Sequence, residues 1–504
     1  GRFSLGNVRK WITQPAESGL FKVLRVSLMN QLMVENGSIH FQDFLNRPAN
    51  DPLPINLEHI HFSVQNKIIG LPFQFNLKGE IPSGNSPTAF QVSGASENFL
   101  KDRGLTGIAI DGKVRVDELN VSNFQPYLKK VLEKVPLDSL LSLSSSFYGN
   151  IGGALKTEGT LKYSSNSSKG QATLSEAIVP NRVGLEYKIS LDQDVLHFEE
   201  LKFGSGPFKF KAKATLENFL SKDPSISIDL VSNSFQVNNS IDYLPLKFIP
   251  EEYHALVQSR FKNGSIKIKS LKFAGSLDQL KELAQEENRG LISTEFELQN
   301  VDWQSPLPAL QNVTGTFSID NGNTTLHIAR ARYGEQPITN LHGTIKDTMT
   351  RPLVDLEVES EVEMSQFHRT LKKIFKGHSL FDSIAIYNKF EGKAKVLLNV
   401  KGPMDDLEKL VISGKIDLQD VSLNEEGFEP RLKNLNGNII YTHTPEADKR
   451  KDASWIPVIQ YYNLSGNFSK SSFSDMNGEM GFRNGEPLEK MSSVYKFESS
   501  DLIY

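Results

Sequence analysis

The chain has 504 residues, 38% of them hydrophobic, which is enough for several domains and too apolar for wholesale disorder. Its 56 basic and 60 acidic residues nearly cancel and form no blocks, so a nucleic-acid-binding protein with its basic stripe is not expected. The chain contains no cysteine, which removes disulfides, thiol nucleophiles and Cys-ligated metal centres together and suits an oxidising compartment.

No run approaches the roughly 18–20 apolar residues of a membrane-spanning helix. The chain opens Gly1-Arg2-Phe3 and closes Asp501-Leu502-Ile503-Tyr504, so it is expected to be a segment of something longer, with residues 1–33 and 481–504 as flanks. Phe is abundant at 31 and Trp scarce at 3, which points to an interior of phenyl and aliphatic groups.

From the N-terminus onward the local pattern is alternation. Leu71, Phe73, Phe75 and Leu77 alternate with Pro72, Gln74, Asn76 and Lys78. Phe208 and Phe210 alternate with Lys209 and Lys211; Ile226, Ile228 and Leu230, and then Ile266 and Ile268, repeat the pattern. Between Val354 and Met364, Val354, Leu356, Val358, Val362 and Met364 face one way and Asp355, Glu357, Glu359, Glu361 and Glu363 the other. Val396, Leu398 and Val400 follow. Period two gives each strand one dry and one wet face. Asn36-Gly37, Asp111-Gly112, Asn263-Gly264, Asn321-Gly322 and Asn436-Gly437 are expected as hairpin turns. Helices are expected only over 124–135, 251–260, 277–287, 365–376 and 405–410, too few to cover the dry side of so much sheet. The fold class is therefore mainly β, antiparallel, and its apolar face must close on another sheet or on something that is not this protein.

An internal repeat of about 120 residues ties the chain together. Glu297-Leu298-Gln299-Asn300-Val301-Asp302-Trp303 is similar to Asp417-Leu418-Gln419-Asp420-Val421-Ser422-Leu423, with a weaker copy at 39–45. A second marker, an aromatic-led helix followed by a glycine-opened strand pair, keeps the same spacing. The expected organisation is a continuous β region over 34–480, with repeats near 34–160, 161–288, 289–404 and 405–480.

Motifs for chemistry do not survive inspection. Gly107 to Lys113 has phosphate-loop spacing, but Val114 stands where a Ser or Thr must hold magnesium, and Asp111-Gly112 reads more simply as a turn. His59 and His61 share a face, yet both are expected in solvent. No metalloprotease, nucleophile-elbow or dinucleotide fingerprint occurs, and the carboxylates lie along strand faces without a paired acid and base. The chain is expected not to be an enzyme and to use neither metal nor cofactor.

The segment Trp303-Gln304-Ser305-Pro306-Leu307-Pro308-Ala309-Leu310-Gln311-Asn312-Val313-Thr314-Gly315 resembles the "lP-x-l-x-x-l-x-G" pattern of bacterial AsmA-like proteins. The strands 323–329 and 337–345, Gly402-Pro403-Met404-Asp405-Asp406-Leu407, and Leu432-Lys433-Asn434-Leu435-Asn436-Gly437 continue the likeness, as does Leu32 to Ile39 near the start. The resemblance covers most of 30–480. It implies a long curved β-sheet, taco-like in section with a few short edge helices, whose hydrophobic groove carries phospholipid between inner and outer membranes. It also implies the periplasm of a Gram-negative bacterium and anchorage to the inner membrane by a helix this segment does not contain. On that reading Leu71, Phe73, Phe75, Phe208, Phe210, Ile266, Ile268, Val354, Leu356, Val358, Val396 and Leu398 line the groove against phospholipid acyl chains, and nucleic acid is no partner. The competing expectations are an array of closed β-sandwiches without lipid, structural or adhesive, then an outer-membrane barrel, then a β-scaffold hydrolase.

Overall fold

A computed structural model describes, in its first half, residues 31–43, 53–65, 73–82, 87–96, 109–120, 139–150, 153–165, 182–219, 221 and 223–237. It then describes 261–282, 285–304, 309–347, 351–367, 369, 387–404, 409–425, 432–443, 456–483, 486–496 and 498. The chain divides into two compact units: unit 1 is 1–235, 239–250 and 268–283, and unit 2 is 236–238, 251–267 and 284–504.

Both units are antiparallel meanders. In unit 1 the strands from Gln31–Asp43 through Ser225–Ser232 pair each with the next, and residues 225–230 then pair with 271–276. In unit 2 Phe261–Lys262 pairs with Ile292–Trp303, and pairing runs on strand by strand to Glu486–Lys496. The described helices are short: Leu277–Lys281, capped by a reciprocal Ser276–Gln279 box, the 3-10 turn Glu286–Leu291, and a helical turn at 364–367. The expected helix over 277–287 is thus broken into two short pieces. Those over 124–135 and 251–260 lie outside the described residues, as do most of 365–376 and 405–410.

Because side chains alternate, registered strands stack apolar residues into rows that cross the sheet. In unit 1 Leu32, Val64, Phe75, Gly94, Gly112 and Phe147 are successive cross-strand partners, and the row continues through Thr157, Ile189 and Phe198. The two glycines are needed there: a Cβ on Gly94 would stand 2.2 Å from the Asp111 carbonyl and 2.8 Å from the Phe75 ring, and one on Gly112 would stand 2.6 Å from the Phe147 ring. In unit 2 the corresponding row is Leu298, Gly315, Ile328, Leu341, Val358 and Leu398, then Gly414, Tyr441 and Ile459.

The opposite face is charged and paired across strands. Lys401 reaches Asp355 at 3.2 Å, His342 reaches Glu357 at 3.3 Å, Lys395 reaches Glu361 at 3.7 Å and Lys393 reaches Glu363 at 3.6 Å. Each exposed pair is worth only about 0–1 kcal/mol. Their main effect is on register, because a one-residue slip would turn every carboxylate into the apolar face.

Only one of the five expected hairpin turns is one. Asn321-Gly322, with φ of 47° and 72°, joins Asp320 to its partner Asn323. Asn36-Gly37 and Asn436-Gly437 instead lie inside strands where the register slips, and Asp111-Gly112 is mid-strand, opposite Ala95-Gly94 and Tyr148-Phe147. The dipeptide favours left-handed backbone, and a bulge uses that freedom as well as a turn does. Asn263-Gly264 separates Phe261–Lys262 from Ser265–Ser276, also with both φ positive.

The two clusters of fully buried apolar residues lie in unit 2. One centres on Leu298, Val301, Val313 and Ile328, the other on Ala394, Leu418, Val421 and Leu435. Val301 is 0% exposed. Val301→Ala is expected to lower unfolding free energy by about 2 kcal/mol in denaturant titration, while Val494→Ala, at a side chain 62% exposed, should stay within about 0.5 kcal/mol. Burial also pushes the Tyr441 phenol up to about 12 from 10.0. The stability gained by keeping that phenol neutral is complete below about pH 10, the unfolded value, and is lost as pH rises towards 12. Alkaline melting curves should therefore fall less steeply over this window in Tyr441→Phe than in the parent chain.

Candidate functional site

The apolar rows make the candidate site a face rather than a pocket. Five of the expected groove residues come together on two neighbouring strands of unit 2, Leu353–Glu363 and Tyr387–Pro403. Val358 is partnered with Leu398, Leu356 with Val400, Val354 with Gly402 and Ser360 with Val396. Val354 and Val396 are buried, whereas Leu356, Val358 and Leu398 are half-buried and pack against the buried clusters. Ile266 is half-buried against the first of these clusters.

In unit 1 Phe208 is buried and meets Phe235 edge-on at 5.0 Å, and Phe210 stacks on Phe203 at 4.9 Å. Phe73 and Phe75 are half-buried on one strand. Ile268 is buried, and its backbone N–H donates to Ser232 Oγ at 2.9 Å. Leu71 lies outside the described residues. Alternation missed Leu341, Tyr441 and the stacked pair Phe296–Phe317, whose centroids are 5.2 Å apart, although they belong to the same rows. Their strands carry Thr, Ser, Asn and Gly on both faces, which dilutes the period-two signal.

Among the described residues the helices are too short to lie across these rows. The rows are covered in places, with Leu298 and Ile328 at 1% exposure, and half-buried in others, as at Leu356, Val358 and Leu398. Burial raises the Tyr333 phenol as it does Tyr441.

Glu200 is held below its ordinary value first by its hydrogen bond from Lys202, and Lys202 is held above its own by the same bond, but both lie partly exposed on the wet face. Among the described residues no three His, Asp or Glu side chains are grouped to hold a metal. His59 and His61 are exposed, and His59 Nδ1 lies 3.0 Å from Asn36 Oδ1.

A hollow of about 580 Å³ does occur in unit 1, and it lies on the wet side, between Lys113, Arg115, Ser144, Glu158, Glu186 and Lys202. A twisted sheet is saddle-shaped, so each face is concave along one diagonal. The charges in this hollow largely neutralise one another: Lys188 with Glu158 at 3.5 Å, and Lys202 with Glu186 at 3.6 Å and Glu200 at 3.0 Å.

Among the described residues no helix is long and apolar enough to cross a membrane. No curated protein matches the chain. The family described as YhdP protein matches residues 169–445, more than half of the length, and it is an AsmA-like family associated with the bacterial envelope. With its antiparallel rows and its match over that span, this chain belongs to the YhdP family.

Proposed function

We propose that the chain is a lipid conduit: the apolar rows are the floor on which phospholipid acyl chains lie, and lipid moves along them between the inner and outer membranes across a Gram-negative periplasm. The observation that carries this reading is the continuity of the rows. Each strand hands its residue on the dry face to a partner on the next, from Leu32 to Phe198 in unit 1 and from Leu298 to Ile459 in unit 2, with only glycines and Thr157 between the apolar side chains. Family membership supports the reading, because AsmA-like proteins are linked with lipid transport.

The energetics suit a conduit. An acyl chain gains roughly 0.8 kcal/mol for each CH₂ removed from water. That gain is non-directional, so a chain can shift along the floor without breaking a specific bond. Headgroups stay at the wet mouth. The floor residues need do no chemistry.

Photo-crosslinkers at Leu356, Val358 and Leu398 should capture phospholipid in cells, and those at Lys209 and Glu359 should not; equal labelling at both sets would refute the assignment. Leu356→Asp puts a charge on the floor where acyl chains must pass, at a desolvation cost of several kcal/mol with lipid present. Because Leu356 is half-buried and not enclosed, the empty protein should keep nearly its normal melting curve while lipid transfer between vesicles is lost. A collapsed melting curve is the result a closed sandwich core gives, and transfer that continues unaltered would also defeat the proposal.

A further inference from the structure

Six segments of unit 2 share one form, an apolar or aromatic residue, one further residue, Asn or Asp, then an apolar one. They are Leu298-Gln299-Asn300-Val301, Leu310-Gln311-Asn312-Val313 and Leu418-Gln419-Asp420-Val421, followed by Leu432-Lys433-Asn434-Leu435, Tyr461-Tyr462-Asn463-Leu464 and Phe473-Ser474-Asp475-Met476. In all six the Asn or Asp is left-handed, with φ between 51° and 53°. At all six the strand register slips. The third residue of each segment is thus an inserted one, a β-bulge.

The insertion explains how both flanking apolar residues face inward. Leu418 and Val421 are three apart, so in a regular strand they would point to opposite sides. Both are buried, at 7% and 1% exposure. With the inserted Asp420 left out of the count, Leu418, Val421 and Leu423 alternate normally.

The bulges also line up across the sheet. Val301 is opposite Val313, Val421 opposite Leu435, and Leu464 opposite Met476. Their polar sides are tied together: Asp420 N–H donates to Asn436 Oδ1 at 3.1 Å, Asn436 Nδ2 donates to Asp420 Oδ1 at 3.2 Å, and Asn463 N–H donates to Asn477 Oδ1 at 3.1 Å. The residues just after the bulges are among the most deeply buried, Val301 and Val313 at 0% and Val421 at 1%. Each bulge bends its strand, and bends aligned across neighbours add.

We propose that these left-handed Asn and Asp residues form a crease: they hold the two arms of each strand that carries one at a fixed angle, turn the arms' apolar faces towards each other, and so set the width of the trough. The crease is a property of the backbone and stands whether or not lipid fills the trough.

The chain has no cysteine, so Thr442→Cys and Lys470→Cys place two unique spin labels, at exposed positions towards the far ends of the two arms. Replacing Asp420, Asn434, Asn463 and Asp475 together by Gly should leave the label-to-label distance unchanged, since Gly keeps a left-handed φ without strain. Deleting the same four residues keeps every apolar residue on its face but removes the bends, so the distance should lengthen by several ångströms despite the shorter strands. A folded deletion variant with an unchanged or shorter distance overturns the proposal. Should the deletion variant not fold, the deciding pair is Asn434→Gly against Asn434→Val. Val resists the left-handed region, so its melting midpoint should drop by at least about 2–4 °C while Gly stays native-like. Equal midpoints overturn the proposal.

Discussion

A sheet one layer thick has to put something other than water against its apolar face. The hydrophobic term is proportional to the area removed from water, and period two puts half of every strand's side chains on that face. In most β proteins a second sheet answers the demand. In this chain the strands pair one after another within each unit, and the described helices are too short to serve. The rest of the structure can be understood as ways of living with that constraint: paired charges on the wet face, bulges that turn arms inward, and glycines that let rings lie over the backbone.

Unit 1 and unit 2 meet the constraint differently. In unit 2 aliphatic residues are packed to full burial around Leu298, Val301 and Val421. In unit 1 the apolar face is mostly half-buried and includes hydroxyls. Ser145 Oγ lies 2.8 Å from Thr157 Oγ1, and Ser139 Oγ lies 2.7 Å from Tyr163 Oη. Those hydroxyls are tolerated because they satisfy one another; a buried hydroxyl left without a partner would cost about 1–3 kcal/mol.

The alternation was legible in the sequence where charged and apolar residues alternate strictly. Val354 to Met364 became the strand Leu353–Glu363, with its carboxylates on one side and its aliphatics on the other. The likeness between 297–303 and 417–423 was legible too, but not its meaning: both segments carry the same left-handed bulge, at Asn300 and Asp420. A bulge is hard to read because one inserted residue breaks the periodicity by which strands are recognised. The same ambiguity made Asn36-Gly37 and Asn436-Gly437 look like turns. A residue that can hold positive φ marks a place where the chain departs from extended backbone, and only the pairing of both flanks tells a turn from a bend.

The glycines fit the same logic from the other side. Gly315, Gly343 and Gly414 lie in the apolar rows of unit 2 opposite Leu298, Leu356 and Leu398. A Cβ at these positions would stand 2.2, 2.1 and 2.6 Å from the carbonyl oxygens of His327, Asp355 and Leu397. Small residues therefore interrupt the rows of large ones, and at Gly414 the Leu398 side chain lies over the bare backbone. A row built this way is uneven in height, lowest over the glycines and highest over the leucines. Such a surface suits a flexible chain that can dip and rise with it better than a flat, rigid ligand. The feature that lets the strands approach closely enough to bury Ile328 and Leu341 also shapes the surface offered to whatever lies on top.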